Sequence, residues 1–192
     1  MAHAWEHYKG LPPRIASALS KISNQIEPLL VVPEYKVALP GGGRESQNDA
    51  FLLARLGEKT ASIMIEGKVS ETFGPDIKSW LAHETDNKVT RLDGLGQILG
   101  LRERPAGHIR YQLLHRTASA LITANKFKTN LAIMLVHSFS QNHEWFDDFK
   151  NFASLMDVPN DPKIGEIEKV GKNTDIPLYI GWVTGEQRFL EM

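Results

Sequence analysis

Asp49, sixteen intervening residues and then Glu66-Gly67-Lys68 bring two carboxylates and a lysine to a spacing that suits one chemistry. Two carboxylates can share a divalent cation. Mg²⁺ commonly takes one or two of them, keeps several waters and lets a substrate phosphate complete its shell; Mn²⁺ would serve in its place. A lysine beside that cation can stabilise charge developing on phosphorus, or orient and deprotonate an attacking water. The Gly67 carbonyl adds a further oxygen, on a residue with no side chain to keep a ligand away. Such a kit binds a cation and cuts a phosphodiester.

The kit depends on the elements that carry it. Residues 49–55 and 61–69 read as two strands, apolar on both faces through Ala50-Phe51-Leu52-Leu53-Ala54 and Ile63-Met64-Ile65. Strands of that kind lie buried under helices on both sides. Leu56-Gly57-Glu58-Lys59 between them has the composition of a hairpin turn. With Arg55 opposite Thr60, Phe51 faces Met64 and Asp49 faces Glu66. Directly opposed residues have Cβ atoms about 4.5–5.5 Å apart, where like charges repel unless a cation joins them. Glu66 and Lys68 are two apart and share a face. Sliding the register by two residues preserves the pair; sliding it by one destroys it.

Around this hairpin the chain alternates helical and extended patterns. Apolar residues at helical spacing from Ile15 to Leu30 predict a helix over 14–31, and Tyr35 to Leu39 a short strand. Pro40 and Gly41 to Gly43 mark a loop. Pro75 suits a first helical position, and further helices are expected over 89–99, with Gly100 as the stop, over 109–125, and over 143–156. Strands are expected over 130–139 and 178–184. The order is that of an α/β domain with a mixed central sheet, one domain across 1–192.

Within the helix over 109–125, Gln112, His115, Arg116 and Ser119 fall on one face, and Tyr111, Leu114, Ala118 and Leu121 on another, expected to be core. Arg116 and His115 on the polar face can contact phosphate. Glu45, just ahead of Asp49, can reach the same cation.

The acid, the apolar hairpin and the E-x-K triplet together resemble the PD-(D/E)XK nuclease superfamily, over about residues 14–140. The resemblance implies a restriction-endonuclease-like fold in which a mixed sheet flanked by helices carries the acid on its second strand and E-x-K on its third. It assigns Asp49 as the metal-binding acid, Glu66 as the second acid and Lys68 as the catalytic lysine. Some branches carry a Gln-x-x-x-Tyr helix beside the site; Gln112-x-x-x-Arg116 is similar, with arginine for tyrosine. The usual proline before the acid is Asn48 here. A glutamate from the first helix often joins such sites, and Glu27 is its positional counterpart. The segment EGKVSETFG also resembles an uncharacterised bacterial branch of the superfamily. The implied activity is Mg²⁺- or Mn²⁺-dependent hydrolysis of phosphodiesters, most naturally in DNA, in defence, repair or mobile-element biology. Homodimerisation would let two sites address two strands. The alternatives are a module of the same fold that binds nucleic acid or protein without cutting, and an interaction protein whose carboxylates are only a charged edge.

Composition narrows the rest. With no cysteine among 192 residues, disulfides, cysteine-ligated zinc, iron–sulfur clusters and thiol nucleophiles are excluded, and a reducing cytoplasm fits. The net charge of −1 means that nucleic-acid contact needs a local basic patch. Arg102, Arg104, Arg110, Arg116, Lys126 and Lys128 are its candidates. Residues 1–10 lack the apolar run of a signal peptide, and 131–136 is too short to span a bilayer, so no membrane role is expected. Gly41-Gly42-Gly43-Arg44 lacks the lysine and hydroxyl residue of a phosphate-binding P-loop. Glu71 reads as a solvated turn residue and His137 as a satisfied core histidine.

Overall fold

The computed structural model of the chain describes residues 1–190. The apolar runs flanking Gly57-Glu58 form a hairpin of β2, Ser46–Leu56, and β3, Lys59–Lys68. Leu56 pairs with Lys59, Arg55 with Thr60 and Phe51 with Met64. A two-residue turn enforces this register, and Gly57 takes the positive φ of 61° that such turns demand.

Four strands extend the hairpin. β1, Ile26–Val37, lies antiparallel to β2 at one edge. β4, Leu131–Ser138, runs parallel to β3, and β6, Leu178–Thr184, parallel to β4. β5, Glu166–Lys169, closes the other edge antiparallel to β6. The order β1-β2-β3-β4-β6-β5 makes one six-stranded mixed sheet. Every residue of β4 is buried, as a central parallel strand covered on both faces must be.

Helices cover both faces. On one side lie α3, Ile77–Trp80, α4, Asp86–Ile98, α5, Tyr111–Phe127, and α6, Phe146–Leu155. There Leu114, Ala118 and Leu121 of α5 and Phe149 and Phe152 of α6 share a core with Phe51, Met64, Met134 and Trp182. On the other side α2, Pro13–Leu19, packs Ile15 and Leu19 with Leu52, Ile63, Ile65 and Ile133, and Trp5 of α1, Ala2–Tyr8, packs at its margin. No helix of the described residues is long and apolar enough to cross a membrane.

Several elements differ from the sequence expectation. The helix over 14–31 stops at Leu19, and Ile26, Leu29 and Leu30 belong to β1. Pro28 and Pro33 explain the change: each lacks the N–H a helix interior needs, while an edge strand tolerates the loss. The strand expected from Tyr35 is therefore only the end of a longer one. Pro75 does not open a helix; α3 starts at Ile77, where the Asp76 carboxylate accepts the Ser79 N–H at 2.7 Å. Thr85 caps α4 through the Lys88 N–H, and Gly100, with φ 68°, ends it as expected. α6 begins only at Phe146, because His143 and Trp145 hold positive φ. α1 and the four-residue β5 have too little periodicity to be read in advance.

Candidate active site

Glu66 and Lys68 close β3 on the face covered by α5, and both are buried. Glu66 is held on every side. Its Oε1 accepts from Gln112 Nε2 at 2.7 Å and lies 3.0 Å from Lys68 Nζ, while Oε2 accepts from Arg116 Nε at 2.5 Å. Gln112 and Arg116 reach one carboxylate because residues four apart on a helix sit one above the other. Arg116 Nη1 also donates to Ser46 Oγ at 3.0 Å, and Ser46 Oγ meets His115 Nδ1 at 2.9 Å. Lys68 Nζ sits over the Phe73 ring, 5.1 Å from its centroid. The structure thus gathers Glu66, Lys68, Gln112, His115 and Arg116 into one network.

Asp49 departs from the expected position. The β2–β3 pairing ends at Ala50–Ile65, one step before Asp49 would face Glu66. The cause lies in β1, where Glu34 has φ 53° between the pairs Pro33–Ala50 and Tyr35–Asn48. Asn48 stands opposite Tyr35, whose ring packs on Phe51, so Asn48 and Phe51 share a face although three apart, and the two-residue alternation breaks at Asp49. Asn48 is fully buried and donates to the Tyr35 carbonyl at 3.1 Å. Asp49 instead turns along β3 and accepts the Gly67 N–H on Oδ2 at 2.7 Å. It lines a cleft of about 470 Å³ with Trp5, Val31, Pro33, Gly67 and Lys68. A second cleft, of about 480 Å³, is lined by Glu45, Ser46, Lys68, Gln112, His115 and Arg116, among others. Lys68 borders both.

The two carboxylates differ in compensation. Burial, and then the charge of Glu66, push the Asp49 carboxyl up to about 6; the Gly67 hydrogen bond, Arg116 and Lys68 offset only part of that rise. Glu66 has three donors on its two oxygens. A carboxylate offers about four acceptor sites, so Glu66 keeps one and Asp49, with one protein donor among the described residues, keeps most of its own. Among the described residues no three His, Asp or Glu side chains gather as a ready metal cluster. The oxygens that could hold a cation keeping several waters are those of Asp49 and the Gly67 carbonyl, with the last acceptor site on Glu66, which lines neither cleft.

A family profile described as Domain of unknown function (DUF6946) matches residues 1–187. The chain belongs to the DUF6946 family. No curated protein and no solved structure matches it. The DUF6946 profile spans Asp49, the E-x-K triplet and the α5 network alike.

Other expected contributors fall in several places. Glu45 is exposed at the rim of the cleft on the α5 side. Glu27 lies at the far end of β1, paired opposite Arg55 and 3.7 Å from it, away from the network. Glu71 accepts the Val69 N–H at 3.0 Å and borders the Asp49 cleft. Burial and neighbouring cations push His115 down to about 3, so at neutral pH it is an uncharged hydrogen-bonding group. His137 is buried, but its Nδ1 has no partner, contrary to a satisfied core histidine; burial pushes it down to about 3. The basic cluster over 102–128 is partly neutralised: Arg104 pairs with Asp93, Arg110 with Asp148 and Arg116 with Glu66, while Arg102, Lys126 and Lys128 are exposed.

Two contributors carried no local signal. Ser46 links Arg116 to His115 across the fold. Arg91 of α4 clasps the glycine loop, donating to the carbonyls of Pro40, Gly42 and Arg44. The only hint was the loop itself, whose carbonyls need donors when glycines hold it tight.

Proposed function

We propose that the chain is a Mg²⁺- or Mn²⁺-dependent hydrolase of phosphodiester bonds in nucleic acid, most naturally DNA, on a restriction-endonuclease-like fold of PD-(D/E)XK type. One observation carries this reading. Asp49 is a carboxylate held close to Glu66-Gly67-Lys68, with its carboxyl raised to about 6 and too few donors of its own, beside a glutamate with three of them. Buried acids left short of compensation cluster at functional sites.

A divalent cation held by Asp49, Glu66 and the Gly67 carbonyl would supply Lewis acidity to a scissile phosphate. The chain's own groups do the rest. Lys68, fixed by Glu66 and Phe73 at the border of both clefts, presents an ammonium to the phosphate oxygens where charge develops. Gln112 and Arg116 hold Glu66 in place, so it needs no reorganisation as the reaction proceeds. Neutral His115, coupled to Arg116 through Ser46, offers a hydrogen bond at the cleft without adding charge. A cytoplasmic setting, in keeping with the absence of cysteine, belongs to the same proposal.

A non-cutting binding module on the same fold is the alternative, and the surroundings of Glu66 favour it: a glutamate with three protein donors already has its charge met without a metal. Incubation of end-labelled single- and double-stranded oligonucleotides with Mg²⁺ or Mn²⁺ separates the two. Hydrolysis by the wild type, lost in both Asp49→Ala and Lys68→Ala, supports the hydrolase. Binding with no cleavage under either cation selects the binding module.

A further inference from the structure

Four basic side chains converge on one cleft of this protein. Overall charge is −1, and several surface arginines are paired: Arg55 with Glu27, Arg104 with Asp93, Arg110 with Asp148 and Arg188 with Glu186. Proteins that track a duplex neutralise many phosphates, about 6–10 in strongly salt-dependent cases, more than the cations of one cleft can meet. The cleft on the α5 side is lined by Arg44, Lys68, Arg91 and Arg116, of which Lys68 and Arg116 are paired with the buried Glu66; Glu45 is the one carboxylate in its lining.

The same cleft contains an incompletely met polar group. Tyr111 is 8% exposed and lines the cleft, and its buried hydroxyl lies beside the Arg91 guanidinium without a well-formed hydrogen bond. Its ring stacks on Trp80 with centroids 4.0 Å apart and planes 12° from parallel, which fixes where the hydroxyl stands. A buried hydroxyl short of a good partner is destabilising, and a ligand oxygen at this point would relieve it. Tyr111 and Gln112 form the first turn of α5, the end of a helix that favours anions. Arg44 sits exposed on the glycine loop at the rim. At about 480 Å³ the cleft lies within the range of small-ligand sites, about 300–1,000 Å³, and holds one nucleotide unit rather than a stretch of helix.

We propose that this cleft is a subsite for one unpaired nucleotide, with a phosphate between Arg44 and the Tyr111 hydroxyl, so that the substrate is a single strand or a frayed end rather than an intact duplex. The inference rests on the phosphodiesterase reading, since Lys68 joins this cleft to Asp49, and it adds which form of nucleic acid that site accepts. The nucleotide here is the neighbour of the bond to be cut.

Fluorescence anisotropy with a labelled eight-nucleotide single strand and a blunt duplex of the same sequence tests it, at low salt in EDTA so that nothing is cut. The wild type should bind the strand at least about ten-fold more tightly than the duplex. Arg44→Glu, on an exposed loop, should lose about ten-fold or more in strand affinity. Tyr111→Phe, which removes only the hydroxyl, should lose about 2–10-fold, the value of one hydrogen bond. Equal binding of strand and duplex, or strand binding untouched by both substitutions, overturns the subsite. Strand-selective binding that responds to both substitutions, in a protein that cuts neither probe with Mn²⁺, would leave the subsite standing and remove the hydrolase alone.

Discussion

Replacing Asp49 by asparagine should stabilise the metal-free protein, the reverse of what loss of a buried hydrogen-bonded side chain normally does. Asparagine keeps an oxygen for the Gly67 N–H, which Asp49 Oδ2 accepts at 2.7 Å, and removes the charge. The rise of the Asp49 carboxyl from 3.8 to about 6 corresponds to about 3 kcal/mol between its two protonation states. Solvent reaches part of this half-buried group, so about 1–2 kcal/mol is a fair expectation after screening. For a chain of this size that is about 2–8 °C in Tm. The sign follows from linkage. Between about pH 4 and 6 the folded protein holds a proton on Asp49 that the unfolded chain has released, so this group's contribution to stability falls as pH rises through that window. The advantage of Asp49→Asn should therefore be full at pH 7.5 and mostly gone at pH 4.5. Mg²⁺ or Mn²⁺ should raise the Tm of the wild type at pH 7.5, less so below pH 6, and leave the variant unmoved. Thermal unfolding by circular dichroism at the two pH values, with and without cation, reads all of this. A variant less stable than wild type at pH 7.5 would refute the reasoning and make Asp49 a purely structural acceptor.

Arg116→Met keeps the apolar stem but strips Glu66 of its closest donor, at 2.5 Å. With Lys68 and Gln112 still in place the loss should be about 2–3 kcal/mol, below the full cost of breaking a buried pair, and urea unfolding should show Glu66→Gln recovering part of it in the double variant. Gly67→Ala places a Cβ 3.1 Å from Asp49 Oδ2 and 3.3 Å from Met1 Cβ. That shifts the carboxylate by tenths of an ångström, and oligonucleotide cleavage should fall about ten-fold while Tm moves by less than about 3 °C. Gly181→Ala sets a Cβ 2.5 Å from Ile167 Cγ2 and 2.7 Å from the Glu166 carbonyl; overpacking of about 1–3 kcal/mol should appear in urea unfolding, with faster amide exchange along β5.

The parts of this structure that were legible in advance are those governed by short-range rules. A two-residue turn with glycine at its positive-φ position set the pairing of Phe51 with Met64. Helical spacing placed Gln112 and Arg116 together, and both reach Glu66. The failures are tertiary. Residues 22–31 carry apolar residues that suit a helix or a strand, and only the edge position beside β2 decides for the strand. Asp49 leaves its expected place because Glu34, on another strand, adopts a positive φ that breaks the alternation. Ser46 and Arg91 act across the fold, on a helix and a loop far away in the chain. Arg104 and Arg110 looked free because their acidic partners, Asp93 and Asp148, lie outside the run.

The central claim is a cation seat formed by Asp49, Glu66 and the Gly67 carbonyl next to Lys68. Anomalous diffraction from crystals soaked with Mn²⁺ at pH 7.5 tests it most directly. The account predicts one strong peak bonded to an Asp49 carboxylate oxygen and the Gly67 carbonyl, at about 2.0–2.3 Å, with Glu66 reaching it directly or through water, and no such peak in Asp49→Asn. Wild-type crystals with no peak there, and with Glu66 bonded only to Gln112, Lys68 and Arg116, would contradict it.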